Sequence, residues 1–178
     1  MLKTYKKLIE THFFHNLMNQ NLKVMNAPSR LENAIQKLYT AFQNDELHPE
    51  CCKRCAVGNI LDGKDAWKNL TDRHGSLQLN YVGIVNQNFG KRFNGYTPLE
   101  LMQIEATFLK SCGYSIPLKL NSKRPKNPKD KEHLFNGLCA TVQLLCQLDG
   151  VDNIMDNNSY LKIINAHHLK SSQIVPVQ

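Results

Sequence analysis

The sequence predicts an all-α fold, an irregular multi-helix single domain of about five to seven helices. Apolar residues recur at spacings of three and four in several stretches, which is the period of one helix face. No series of alternating apolar residues is long enough to build a sheet. The apolar fraction of 42% in 178 residues is sufficient for the core of one ordinary domain. We therefore expect an N-terminal helical extension over residues 1–25, an all-α domain over 26–165 and a flexible tail over 166–178.

The first two helices are indicated by their apolar stripes. Residues 2–20 place Leu, Tyr, Ile and Phe side chains close to one helical face. A second helix begins at Ser29, a good N-cap, and Glu32 lies three residues later as a capping-box partner. The stripe that follows, from Leu31 to Phe42, predicts a helix with one face in the core.

The middle of the chain predicts shorter elements. In HPECCKRCAVGNI, residues 48–60, Pro49 suits a first helical turn and indicates a short helix. A turn at Asp62-Gly63 then precedes a short segment with Trp67. Residues 77–89 fit both a strand and a helix, and we favour a helix over the second half.

The segment TPLELMQIEATFLKSCG gives the clearest helix. Thr97 is the predicted N-cap, Pro98 occupies the first helical position and Glu100 completes a capping box. Gly113 suits the residue after the helix, where a positive φ is needed. Glu105 lies on or beside the apolar stripe of this helix, so it is either a boundary residue bonded to a neighbour or a buried acid, base or metal ligand.

Three prolines predict an irregular loop over residues 115–129. Asp130 is placed to cap the next helix, over 131–148, and Asp149-Gly150 ends it. A last apolar segment covers residues 151–165.

The net charge of +7 allows contact with nucleic acid, but much of the excess positive charge lies near the N-terminus and in the 115–131 region, without an aromatic or groove-reading motif. No stretch reaches the length of about 18 apolar residues that is needed to span a bilayer. The interrupted apolar N-terminus does not match a secretory signal. These observations predict a cytoplasmic protein whose six cysteines are reduced.

The cysteine cluster is the main candidate site. His48, Cys51, Cys52 and Cys55 are all competent zinc ligands. The chain has no second C-x2-C pair, so one or more distant residues would have to complete the shell, from the set Cys112, Cys139, Cys146, His74 and His133. Two alternatives stay open: free cysteines that fill space in the core, and a dithiol redox pair at Cys52 and Cys55.

Motifs of nucleotide-binding and hydrolytic enzymes are absent. The sequence has no G-x-G-x-x-G, no G-x4-G-K-[ST] and no G-x-S-x-G. A complete iron–sulfur spacing is also missing. We therefore expect no catalytic and no cofactor-binding residues, and no cofactor other than zinc.

A resemblance covers roughly residues 27–156. The run 48–60, Trp67, TPLELMQIEATFLKSCGY and LCQLDGV together resemble a family of small bacterial proteins, mostly from Bacteroidetes, that commonly carry the name of the flavin- and NADH-binding component of the sodium-translocating NADH:quinone reductase. The resemblance implies electron transfer from NADH to a quinone. The cluster, flavin and dinucleotide motifs of that component have no matching positions here, so the resemblance transfers no site residue.

Three functions remain open from the sequence. The first is a binding or interaction module without catalysis, which associates with a protein partner or with itself. The second is a metal-binding or thiol-redox protein that uses His48, Cys51, Cys52 and Cys55. The third is a component linked to NADH:quinone reductase.

Overall fold

The computed structural model describes residues 29–151, and within them all regular structure is helical. The all-α prediction is confirmed. The predicted helix over 2–20, nearly all of the segment 151–165 and the tail 166–178 lie outside the described residues. Residues 29–151 form five α-helices and one 3-10 turn: α1 (Ser29–Gln43), α2 (Ala56–Ile60), the 3-10 turn (Trp67–Asn69), α3 (Tyr81–Asn88), α4 (Pro98–Ser111) and α5 (Lys131–Leu148).

Helix α4 forms the centre of the core, and its start is as predicted. The Thr97 hydroxyl accepts a hydrogen bond from the Glu100 N–H at 3.2 Å, and the Glu100 carboxylate accepts one from the Thr97 N–H at 2.7 Å. Pro98 occupies the first turn, and Gly113 follows the helix with a φ of +88°. These are the capping box and the C-terminal glycine that the sequence indicated.

The main packing contact joins α4 to α5, which runs against it. Gly137 of α5 lies at the closest approach, because a Cβ there would be 2.4 Å from the Cys112 Sγ and 2.9 Å from the Phe108 ring. Helix α1 packs its buried stripe on α2 and α5, and α2 packs on α4. The core therefore lies between four helices, and the short α2 is enclosed among the longer ones.

Arg30 connects the ends of three helices. Its Nε donates to the Asp149 carboxylate at 2.6 Å, and its Nη1 donates to the Gly95 carbonyl at 2.8 Å. The guanidinium also lies 3.4 Å from Glu100 and 4.8 Å from the centre of the Tyr96 ring. The start of α1, the start of α4 and the end of α5 are held together by this one side chain.

Helix α3 is oriented with its apolar side chains outward. Its inward side consists of Gly83, Asn86 and Gln87. A Cβ on Gly83 would be 2.3 Å from the Leu70 carbonyl oxygen, so the helix lies directly on that carbonyl. The Asn86 amide donates to the Asn69 carbonyl at 3.2 Å, and the Gln87 amide oxygen accepts from the Leu99 N–H at 3.0 Å. The predicted helix is confirmed. Most of its apolar side chains face outward, since Tyr81, Val82 and Ile84 are 81%, 44% and 47% exposed, and Phe89, directly after the helix, is 86% exposed.

The 115–129 segment is irregular, as the prolines predicted. A main-chain hydrogen bond from Ser115 N–H to the Lys123 carbonyl at 2.9 Å closes the segment on itself, and one from Leu118 N–H to the His74 carbonyl at 3.0 Å joins it to the rest of the domain. No helix between residues 29 and 151 is both long enough and apolar enough to cross a bilayer.

Candidate metal centre

Three ligand-type side chains from distant parts of the chain converge in the core. One ligand atom from each of Cys55, His74 and Glu105 lies within 4.8 Å of the other two. We call this group the Cys–His–Glu cluster. Cys55 and Glu105 are fully buried, and the side chain of His74 is 11% exposed.

Cys55 is placed by the start of α2. It is the N-cap residue, and its Sγ accepts a hydrogen bond from the Gly58 N–H at 3.3 Å. The tight approach of the preceding segment requires Gly58, because a Cβ there would be 2.5 Å from the Cys52 carbonyl oxygen. A helix start folded this closely under its own preceding turn fixes the thiol inside the core.

His74 is placed by the turn that follows the 3-10 segment. Gly75 has a φ of +74°, and a Cβ there would be 2.7 Å from the Leu109 side chain. The chain can therefore pass close against α4 only with glycine at this position. The imidazole packs against the Trp67 ring, with ring centres 4.8 Å apart at an angle of 45°.

Glu105 reaches the cluster from the buried face of α4. One carboxylate oxygen accepts a hydrogen bond from the Val57 N–H at 2.9 Å, and the other lies 3.1 Å from His74 Nε2. Across residues 29–151 no lysine or arginine forms an ion pair with this carboxylate. Because an isolated buried carboxylate is very costly, the Val57 N–H and the His74 ring must compensate it.

The thiols near Glu105 are held in their protonated form. Burial raises the pKa of Cys55 well above its usual value, and the Glu105 charge adds to the rise, while the Gly58 N–H opposes it. The Trp67 indole also lowers this pKa, although its N–H has no hydrogen bond of ordinary length within the described part of the chain. Burial, followed by the charges of Asp65 and Glu105, likewise raises the pKa of Cys52.

The four residues predicted from the sequence divide into two groups. Cys55 belongs to the cluster, and Cys52 lies beside it, with its Sγ 3.8 Å from His74 Nδ1. His48 and Cys51 lie outside it: the His48 ring accepts a hydrogen bond from the Glu50 N–H at 3.2 Å, and the Cys51 carbonyl accepts main-chain hydrogen bonds at the turn before α2. A metal ion shared by His48, Cys51, Cys52 and Cys55 stays a prediction.

The remaining cysteines occupy the helix packing. Cys112 and Cys146 are buried and Cys139 is half-buried. Burial raises the pKa of Cys112 to about 12, with a further contribution from Glu105, and raises the pKa of Cys139 to about 11. In the described part of the chain, these three cysteines and His133 do not belong to the Cys–His–Glu cluster.

The separate members of the cluster were visible in the sequence, but their convergence was not. His74 was one of several distant candidates, and Glu105 was noted for its place on an apolar stripe. The signal that could have joined them is the pair of glycines that follow Cys55 by three residues and His74 by one, Gly58 and Gly75, which both lie at points of close chain contact.

The donor set fits a borderline-soft divalent ion. Thiolate, imidazole and carboxylate are the ligand types of zinc, whereas magnesium and calcium prefer oxygen alone. Zinc bonds of about 2.0–2.3 Å at tetrahedral angles place ligand atoms roughly 3.2–3.7 Å apart. The cluster, with atoms up to 4.8 Å apart, would have to contract by about 1 Å to bind one.

A nucleophilic role is less well matched. Cys52, His74 and Glu105 follow one another in the order of a thiol, a base and an orienting acid. An activated cysteine needs a lowered pKa, however, and that of Cys52 is raised. The electrostatics therefore favour the neutral thiol of Cys52 over a thiolate nucleophile.

Comparison of the chain with family models, with curated proteins and with solved structures gives no match.

Proposed function

We propose that the protein binds one zinc ion through Cys55, His74 and Glu105 and that this ion stabilises the helical domain. The observation that carries the proposal is the buried Glu105 carboxylate, which shares an enclosed space with a thiol and an imidazole and has no basic partner other than His74 among the described residues. A divalent cation at this point would compensate the carboxylate and favour the thiolate form of Cys55.

Cys52 supports the cluster from outside it. A histidine that binds zinc through one ring nitrogen usually donates its other N–H to a neighbouring acceptor, which fixes the ring. With Nε2 toward Glu105, the other nitrogen, Nδ1, faces the Cys52 Sγ at 3.8 Å. Cys52 is thereby a positioning residue for His74 in this arrangement.

The location of the cluster favours a structural role. It joins the start of α2, the turn after the 3-10 segment and the middle of α4, which are far apart in sequence. Helix α2 has only five residues, too few to be stable alone, so a link to α4 would order it. Zinc that binds only the folded chain adds its binding free energy to stability.

The test is zinc content and metal-dependent stability of the full chain. We expect about one zinc per chain after purification and a lower Tm after treatment with a chelator. Cobalt(II) added to the stripped protein should give the strong visible bands of a tetrahedral site and the ultraviolet band of a cobalt–thiolate bond. Apparent affinity should fall as the pH is lowered, because the raised pKa of Cys55 means that binding must release its proton.

Matched variants separate this site from the sequence-predicted one. Cys55→Ser and His74→Asn should each lower zinc affinity by more than about 100-fold, beyond the usual effect of losing an outer-shell partner. His48→Ala and Cys51→Ser should leave it unchanged. Zinc well below one per chain, together with a Tm that neither zinc nor chelator alters, would show that the cluster is only a hydrogen-bonded part of the core.

A specific observation favours self-association as a second candidate function. Of the seven large apolar side chains exposed among residues 29–151, all but Leu120 lie on or beside α3: Leu77, Tyr81, Val82, Ile84, Phe89 and Leu99. We call these six the α3 face. Patches of this kind on soluble proteins commonly mark interaction sites.

The occupant we infer for the α3 face is a second copy of this chain. Residues 75–90 contain no Asp, Glu, Lys or Arg, although the chain as a whole carries a net charge of +7. Two chains of this net charge repel each other, and contact through the uncharged segment does not bring like charges together. A two-fold contact pairs the same patch on both copies, so an apolar face is complementary to itself.

Sedimentation velocity over a range of concentrations tests this contact. We expect a monomer–dimer equilibrium that Tyr81→Ser and Phe89→Ser shift strongly to monomer. Leu120→Ser, at an equally exposed leucine away from this helix, serves as the matched control and should have no effect. A wild-type chain that remains monomeric at the highest attainable concentration would refute self-association through the α3 face.

A further inference from the structure

The loop between α4 and α5 presents one apolar side chain among many cations. Residues 115–130, which we call the basic loop, contain five cations and a single anion: Lys119, Lys123, Arg124, Lys126, Lys129 and Asp130. Its first part is anchored, since Tyr114 is buried and Ile116 and Leu118 pack against the core. The next apolar residue, Leu120, is 91% exposed, more than any other large apolar residue in the described region.

The tip of the basic loop is a hydrogen-bonded turn. The Ser122 N–H donates to the Lys119 carbonyl at 3.1 Å, and the Ser122 hydroxyl donates to the Pro117 carbonyl at 3.3 Å. The Arg124 guanidinium donates to the carbonyls of Lys119 and Leu120 at 2.8 and 3.2 Å. These hydrogen bonds fix the backbone of the turn in the conformation that exposes the Leu120 side chain.

The lysines around this leucine are available for an external anion. Lys119, Lys123, Lys126 and Lys129 are exposed, and their side chains form no ion pair with any residue between 29 and 151. Arg124 is partly engaged by Glu50, at 3.4 Å. Within residues 29–151 the loop thus combines lysines that have no ion-pair partner with an apolar tip that no described residue covers.

We propose that the basic loop docks the protein on the surface of a bilayer that contains anionic phospholipids. Leu120 enters the boundary between headgroups and acyl chains, and the lysines stay at headgroup level, where their alkyl stems cover apolar surface. Nucleic acid fits less well, because the loop has no aromatic side chain on which a base could stack and a leucine adds nothing to phosphate contacts. The proposal is independent of zinc at the Cys–His–Glu cluster.

The two components have separable magnitudes. A lysine near an anionic surface contributes roughly fivefold to partitioning at low salt, so Lys119→Gln with Lys123→Gln should weaken binding about 30-fold. Leu120→Ser should weaken it by about 10- to 100-fold if the side chain is transferred into an apolar environment. Because all three side chains are exposed, the variants should keep the wild-type Tm.

The experiment is co-sedimentation of the full chain, as purified, with vesicles of phosphatidylcholine mixed with phosphatidylserine. We expect binding that high salt weakens and that vesicles of phosphatidylcholine alone do not support. The pair Lys64→Gln, Lys68→Gln is the matched control, since it removes two exposed lysines elsewhere, and it should bind like wild type.

Three results would overturn the proposal. The first is equal binding to vesicles with and without phosphatidylserine. The second is unchanged binding of Leu120→Ser, which would mean that no side chain enters the bilayer. The third is displacement of the protein from vesicles by duplex DNA at much lower concentrations than the lipid requires, which would assign the basic loop to nucleic acid.

Discussion

The closest approach in the core allows a quantitative test of the α4–α5 packing. Gly137→Ala adds one methyl group, whose carbon would lie 2.4 Å from the Cys112 Sγ and 2.9 Å from two atoms of the Phe108 ring. Real contacts to sulfur or an aromatic ring are more than about 3.4 Å long, so one of the two helices must move by about 1 Å. Cys112 and Phe108 are both buried, and neither can swing into solvent.

Two opposing effects determine the magnitude. Alanine is favoured over glycine within a helix by about 1 kcal/mol, which would stabilise α5. Overpacking of a filled core costs about 1–3 kcal/mol, and here the added carbon meets obstacles on two sides. We expect Gly137→Ala to lower the free energy of unfolding by about 1–2 kcal/mol, since the steric cost exceeds the propensity gain.

Urea unfolding, followed by circular dichroism, measures this change. Asn136→Ala, at the exposed neighbouring position of the same helix, is the control and should stabilise slightly through propensity alone. Cys112→Ala removes the closest atom, so the double variant with Gly137→Ala should recover about half of the loss, with a coupling of at least about 0.5 kcal/mol. A Gly137→Ala protein that is more stable than wild type would refute the packing argument.

Two further predictions concern buried ionisable groups. Burial and the Glu105 charge raise the pKa of Cys112 to about 12, so the folded chain prefers the neutral thiol. The free energy of unfolding should therefore be at its full value below about pH 8.5, where the unfolded thiol is also neutral, and should decline as the pH rises toward 12. Urea unfolding at each pH should show a smaller decline in Cys112→Ala. Arg30→Met should lower the free energy of unfolding by about 3 kcal/mol, because it leaves the Asp149 carboxylate, whose side chain is 3% exposed, without its partner. Adding Asp149→Asn should restore part of that loss. Equal losses in the single and the double variant would contradict the role of the pair.

Helices whose signals are local could be predicted from the sequence. The boundaries of α4 depend on Thr97, Pro98, Glu100 and Gly113, which act within one turn of the helix end. Helices α1 and α5 were likewise indicated by a cap and an apolar stripe, and Asp130 caps α5 through the N–H groups of Glu132 and His133. Such interactions do not depend on where the rest of the chain lies.

The orientation of α3 could not be predicted, because it depends on a tertiary contact. Periodicity showed that residues 81–88 can form a helix, but its apolar face would ordinarily be placed inward. The close approach of Gly83 to the Leu70 carbonyl, with hydrogen bonds from Asn86 and to Gln87, turns the polar side toward the core instead. No spacing within the segment records those partners.

The Cys–His–Glu cluster was missed for a related reason. Zinc patterns are recognised by ligands in close pairs, and such a pattern points to His48, Cys51, Cys52 and Cys55. The structure brings Cys55 together with residues 19 and 50 positions away, because α2 packs on α4 and the His74 turn passes close against α4. The electron-transfer function implied by the family resemblance stays a prediction.

Glu105 caps α2 in the structure and would also compensate the proposed zinc ion, and these two roles can be tested separately. Its carboxylate caps α2 through the Val57 N–H, while the Cys55 Sγ accepts from the Gly58 N–H, so two otherwise unpaired donors of a five-residue helix are satisfied by the cluster itself. A capping role needs only an oxygen acceptor, whereas compensation of a metal ion needs the negative charge.

In Glu105→Gln the amide oxygen can still accept from Val57, but the anion is gone. If the cluster exists for capping alone, this variant should unfold like wild type both with and without zinc. If it holds zinc, the variant should match the metal-free wild type closely and lose most of the stabilisation that zinc gives. The free energy of unfolding of wild type and of Glu105→Gln, each measured with and without zinc, therefore decides between a capped helix and a metal centre.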